Sequence, residues 1–163
     1  MRKLLCALPL LFAVPLIAQS ATQMPGTMDV ARVTAGTYNT DPSHTLIGWR
    51  VSHFGFNDYF GIFGDATGTL ILDPANPNAA MVDITIPVGK VTTASVGLTG
   101  HLLRAGKDGG KADFFGPAPT DAKFVSTSVV AKGTTAKITG DLTLNGVTKP
   151  VVLDATFSGA GNN

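Results

Sequence analysis

Apolar and polar residues alternate with a period of two along most of the chain. From Thr45 to His53, Ile47, Trp49, Val51 and His53 fall on one face, and Gly48, Arg50 and Ser52 on the other. From Ala66 to Asp73, Leu70 and Leu72 oppose Thr67, Thr69 and Ile71. Val82, Ile84, Ile86 and Val88 alternate with Asp83, Thr85 and Pro87. Lys123 to Ala131, which includes Phe124, is rich in Val, Ser and Thr. Ala136, Ile138, Gly140, Leu142 and Leu144 then form one row, and Val151, Leu153, Ala155 and Phe157 another. Such patterns predict half-buried antiparallel strands. Asn145-Gly146 joins the last two rows as a type I′ hairpin turn, because both residues tolerate positive φ. Asp73 to Asn78 carries two prolines and reads as a loop. Thr93 to Arg104 breaks the alternation. Leu98, His101, Leu102 and Ala105 recur there at helical spacing and predict one short helix, weakened by Gly97 and Gly100. A flexible Gly/Lys loop, 105–111, follows. Short antiparallel strands at this spacing predict an all-β barrel or sandwich, and the pattern alone does not separate the two.

The first residues have a different character. Arg2 and Lys3 precede an apolar run from Leu4 to Ile17, and Ala18-Gln19-Ser20 supplies small residues for cleavage. This is the layout of a secretory signal peptide over 1–20, too short for a comfortable membrane span. Residues 21–35 read as a flexible polar leader, and 36–163 as a single domain. Cys6 is the only cysteine and leaves with the signal, so the core must stabilise the fold without a disulfide. Losing Arg2 and Lys3 moves the net charge from +1 to −1, with ten basic residues left against eleven acidic ones, all of them Asp. The charges are scattered. That argues against nucleic acid as a partner and against electrostatic docking on an anionic membrane.

Candidate chemistry is sparse. His44, His53 and His101 lack zinc-site spacing, so no metal is expected. Nucleophile-elbow, phosphate-loop and dinucleotide motifs are missing, and with no Glu a carboxylate pair needs two converging Asp residues. The expectation is a non-enzyme with no catalytic residues and no cofactor. Phe54, Phe56, Tyr59, Phe60 and Phe63 cluster among glycines, either as an aromatic lip at a barrel mouth or as core filling around a bend. Phe114 and Phe115 either join that mouth or cap the helix. Arg104, Lys107 and Lys111 are head-group candidates for an anionic ligand, with a solvated loop as the alternative.

Several stretches resemble one known family in order and spacing. They are Asp41-Pro42-Ser43-His44-Thr45, Trp49 to Gly55, Gly61-Ile62-Phe63-Gly64, Gly68-Thr69-Leu70, Leu72-Asp73-Pro74, His101-Leu102, Asp113-Phe114-Phe115, Phe124 to Thr127, and Ile138 to Val151. The chain from Gly36 to about Gly159 resembles the YceI-like periplasmic polyisoprenoid-binding proteins. The resemblance implies an eight-stranded antiparallel lipocalin-like β-barrel with one short helix. Its lumen would hold a polyisoprenoid or quinone-type lipid, with transient membrane contact and homodimer formation left open.

Three departures matter. Val96 to Gly100 replaces polar residues before His101-Leu102, a Gly/Lys loop is inserted before Asp113-Phe114, and the family's last two strands are not matched. The expectation is therefore an incomplete barrel with exposed edges beside the strand ending near Phe157. On this reading lumen or mouth residues are Trp49, Val51, His53, Phe54, Phe56, Phe60, Phe63, Leu70, Leu72, Ile84, Ile86, Leu98, His101, Leu102, Phe114, Phe124, Ile138 and Leu142. Gly68, Ala136, Gly140 and Ala155 leave room for the ligand. Two other functions remain open. One is a periplasmic enzyme on an isoprenoid-like substrate, with His53 or His101 as acid or base. The other is a packed barrel acting as accessory to a membrane redox protein.

Overall fold

The computed structural model describes residues 24–161; the signal-peptide reading over 1–20 lies outside them. Alternation becomes strands β1 (Gly36–Asn39), β2 (Ile47–His53), β3 (Asn57–Phe63), β4 (Thr67–Leu72), β5 (Met81–Ile86) and β6 (Val91–Thr93). Helix α1 (Val96–Leu103) follows, then β7 (Ala122–Lys132), β8 (Thr135–Leu144) and β9 (Val147–Thr156). Six strands form one antiparallel sheet in the order β1-β4-β5-β7-β8-β9, and β2-β3-β6 form a second. Among the described residues no ladder joins the two sheets into a closed barrel, and β9 pairs with β8 alone.

Register turns the alternation into one apolar surface. Leu70 stands opposite Val82, Ile84 opposite Phe124, and Phe124 opposite Leu142. Val129 faces Ile138, which in turn faces Leu153, and Ala131, Ala136 and Ala155 form the next row. Directly opposed residues share a face, so these rows line the inside of the curved sheet. β7 keeps this up over eleven residues only by slipping register between Ser126 and Ser128. The extra residue moves the inward set from Ala122 and Phe124 to Val129 and Ala131. Ser126 Oγ accepts a hydrogen bond from Val82 N at 2.8 Å beside the slip. Asn145 (φ 50°) and Gly146 (φ 76°) make the expected turn between β8 and β9.

The core fills one end of this surface. Phe63, Ile86, Val88, Val91, Leu102 and Ala122 form a buried cluster, with Trp49, Ile84, Leu98, Phe115 and Leu144 packed against it. Helix α1 plugs that end. Ser95 caps it, its Oγ accepting from Leu98 N at 3.2 Å, and Leu102 is the helix residue driven into the core. Phe115 meets Phe63 edge-to-face at 6.0 Å.

Two places differ from the expectation. The aromatic-glycine stretch divides between a hairpin turn, His53 to Phe56, and the strand that follows it, β3. Phe63 at its base is buried, whereas Phe54, Phe56 and Phe60 stand 83, 89 and 63% exposed. The Gly/Lys loop is not featureless either, since Lys107–Gly109 forms a 3₁₀ turn.

Candidate functional site

The uncovered end of the large sheet holds a cavity of about 660 Å³. Leu70 and Leu72 of β4, Val82 of β5, Val129 and Ala131 of β7, and Ala136 and Ile138 of β8 form its floor. Ala155 and Phe157 close one flank, and Pro74, Pro77 and Ala80 of the β4–β5 loop form the rim. The last wall comes from the segment before β1. Val30, Ala31 and Val33 lie over the cavity as a strap built around a 3₁₀ turn, Val30–Arg32. Thr27 and Ala160 exchange both backbone hydrogen bonds, at 3.0 and 2.8 Å, and so tie the strap to the chain beyond β9. Asp29 caps the turn through Ala31 N, and Arg32 Nη1 donates to Pro25 O and Thr27 Oγ1 at 3.2 and 3.1 Å.

A second cavity of about 720 Å³ adjoins the first. The two share Val33, Leu70, Leu72, Phe157 and Gly159 as walls. The second adds Arg32, Thr34 and Tyr38, so its lining is more polar.

Of the residues the sequence singled out, the structure brings Leu70, Leu72 and Ile138 to the large cavity. Phe63, Ile86 and Leu102 belong to the packed core, with Trp49, Ile84 and Leu98 against it. Phe124 is buried and fills the space above Gly140: a Cβ there would lie 2.5 Å from Phe124 Cζ. The room expected at Gly140 is therefore taken by an aromatic ring, and that at Gly68 by the Asp83 carbonyl oxygen and Ile84. Leu142 lies beside Phe124 in the same row. Only Ala136 and Ala155 leave their space to the cavity. Val51, His53, Phe54, Phe56 and Phe60 sit on the outer part of the β2–β3 hairpin, apart from both cavities. His53 stacks edge-on against Phe54 at 4.6 Å and Tyr59 at 4.8 Å.

The head-group candidates lie elsewhere too. Arg104 Nη2 donates to Asp113 Oδ2 at 3.0 Å. His101 Nε2 lies 2.7 Å from the same oxygen and 2.8 Å from Arg104 Nη2. The hydrogen bond from His101 and then that from Arg104 hold the Asp113 carboxyl below its ordinary value. Phe114, 45% exposed, meets the His101 ring at 5.1 Å. This cluster ties the inserted loop to α1. Neither it nor the exposed Lys107 and Lys111 line either of these two cavities. His44 makes a similar local contact, 2.7 Å from Asp41, whose carboxyl is lowered mainly by that hydrogen bond. Among the described residues no group of three His, Cys, Asp or Glu side chains is placed to hold a metal ion.

Sequence reasoning did not name the strap residues, Val129, Ala131 or Tyr38 as site residues. The spacing of Val30 and Val33 was their one local signal, and the register slip in β7 left none.

These features define the class: a lipocalin-like antiparallel β-protein, plugged by a helix at one end and carrying an apolar cavity at the other. The chain belongs to the YceI-like family, whose YceI-like domain matches residues 38–163. It is 39% identical over 132 residues to Protein YceI of Escherichia coli, covering 79% of this chain and 65% of that protein. The chain thus spans just under two thirds of that relative's length. Among solved structures it is similar to Burkholderia cenocepacia BcnA, with 26% identity, TM-score 0.57, and 71% and 70% of the two chains covered. A variant of the Campylobacter jejuni YceI protein is 31% identical, with TM-score 0.52 and coverage of 73% and 67%.

Proposed function

We propose that this protein is an exported, periplasmic binder of one long-chain isoprenoid or similar amphiphilic lipid, which it carries, stores or protects. The observation that carries this reading is the cavity of about 660 Å³ walled by Leu70, Leu72, Val82, Val129 and Ile138 and covered by the strap. A space of that size lies in the range of small-molecule sites. Each methylene buried there contributes ~0.8 kcal/mol, so a five-carbon unit supplies roughly 3 kcal/mol before ordering costs. The tail needs no charged partner. Membership of a family known for binding polyisoprenoids supports the same reading. Export rests on the basic, apolar and small-residue layout of residues 1–20.

The test is native mass spectrometry of the purified protein, with organic extraction of whatever travels with it. The expected result is a prenyl lipid at one per chain. It is lost from Ala136→Trp, whose side chain occupies the cavity, while the fold is retained by circular dichroism. A protein that purifies empty and takes up no prenyl lipid when offered one refutes the proposal.

A further inference from the structure

We propose that the tip of the β2–β3 hairpin is a membrane-docking point, which sets Phe54 and Phe56 into the interface of a zwitterionic phospholipid bilayer. This goes beyond the lipid-binding reading, because it concerns the surface the protein rests on and not the molecule it holds.

The tip presents apolar rings to solvent. Phe54 and Phe56 are 83 and 89% exposed, and Phe60 of β3 is 63% exposed. Phe54 and Phe56 lie in the turn, past the last rung of the hairpin, where His53 stands opposite Asn57. A strand added along the outer edge of β2 would therefore leave them uncovered. The turn closes through a hydrogen bond from Phe56 N to His53 O at 3.0 Å. Phe54 holds φ at 53°, where asparagine or glycine would cost the backbone less. A bulky ring kept in a strained conformation and left unburied offers the fold little in return, so its use lies outside the fold. His53 steadies that ring, meeting Phe54 edge-on at 4.6 Å and Tyr59 at 4.8 Å. A ring already held loses little freedom on docking.

Area and charge choose the partner. A phenylalanine side chain presents roughly 200 Å². Three rings at these exposures offer roughly 500 Å², short of the ~800 Å² that each side of a stable protein interface buries. A bilayer needs no such area and no matching surface, because rings on a protruding turn enter between head groups one by one. Arg50 and Asp58 are the only Lys, Arg, Asp or Glu residues from Trp49 to Ile62, and they pair with each other at 3.3 Å. The hairpin thus presents no net fixed charge. That suits a zwitterionic surface and gives an anionic one no advantage.

The experiment mixes the purified protein with phosphatidylcholine vesicles free of prenyl lipid and follows cosedimentation, so the outcome does not depend on what the cavity holds. The protein should sediment with the vesicles, equally well when phosphatidylglycerol is included and when salt is high. Phe54→Asn combined with Phe56→Ser should lower the partition coefficient about a hundredfold, about tenfold per ring, with the circular dichroism unchanged. Val96→Ser, which removes another side chain that is 90% exposed, should leave partitioning as it is. Phe56→Trp places a fluorophore at the tip, and its emission should move to the blue when vesicles are added. The proposal is overturned by a protein that stays in solution, by binding that requires phosphatidylglycerol or is lost in salt, and by sedimentation that leaves the tip emission unmoved. A protein that instead self-associates through these rings, becoming monomeric on the double substitution in ultracentrifugation, also overturns it and assigns the tip to a second copy.

Discussion

Replacing Gly61 by alanine tests how the β2–β3 hairpin is seated on the core. Trp49 and Gly61 stand opposite each other in the hairpin register. The indole lies across the glycine: a Cβ at position 61 would be 2.3 Å from Trp49 Cζ2 and 2.4 Å from Cε2. No contact that short survives, so the indole must leave the strand surface. Trp49 is half-buried and packs against the core cluster. A tryptophan buries roughly 200 Å² when fully packed. About half of that is at stake, which at ~25 cal/mol/Å² comes to ~2.5 kcal/mol. Alanine returns ~0.5 kcal/mol, because it loses less backbone freedom than glycine in a strand. The net expectation is a loss of ~2 kcal/mol. Urea denaturation followed by circular dichroism measures it. Trp49 is the only tryptophan, so its native-state emission reports the displacement directly as a red shift. Trp49→Leu combined with Gly61→Ala should cost less than the two single changes added together, because the clash is gone. A Gly61→Ala protein within ~0.5 kcal/mol of wild type, with unchanged emission, refutes the reasoning.

Three further outcomes follow from the same geometry. Asp113 has its carboxyl lowered below the ordinary 3.8, so the stability it contributes is complete above pH 3.8 and is lost as pH falls through the lowered value. Asp113→Asn should therefore flatten the acid side of the denaturation profile, and an unchanged slope there would sever the link. Phe54 holds φ at 53° while 83% exposed, a strained conformation for a bulky side chain with little burial to offset it. Phe54→Asn, which tolerates that conformation, should stabilise the protein by ~1 kcal/mol in urea midpoints, and a destabilised variant would contradict the strain argument. Deleting Thr127 removes the register slip in β7 and turns Val129 and Ala131 away from the cavity. That should cost more than ~3 kcal/mol and abolish prenyl-lipid binding, whereas retention of both would show that the slip does not set the cavity wall.

Much of this architecture was legible in the chain itself. The rows Leu70–Leu72, Val82–Ile86 and Ala136–Leu144 became strands on the faces their alternation assigned. The turn at Asn145-Gly146 and the helix around Leu98 and Leu102 appeared where expected. These features depend on residues within a few positions of one another, through side-chain period, positive φ and capping. The ordered motifs from Asp41 to Val151 carried the family as well.

Only the tertiary structure decided what those faces enclose. Alternation marks a residue as inward without saying whether it meets another side chain or an empty space. That outcome depends on cross-strand partners far away in sequence, as Phe124 over Gly140 shows. The aromatic run from Phe54 to Phe63 reads equally as a lip or as core filling; pairing with β2 carries Phe54 to Phe60 out along a hairpin and leaves Phe63 in the core. Arg104 is one of three candidate cations in the sequence, and Asp113, nine residues on, folds back to pair with it. Val30 to Val33 looked like unstructured leader, and two hydrogen bonds between Thr27 and Ala160 made them the cover of the cavity. Periodicity is a one-dimensional signal set by the backbone's own repeat. Which cavity stays open is set by contacts between segments that the chain brings together only once folded.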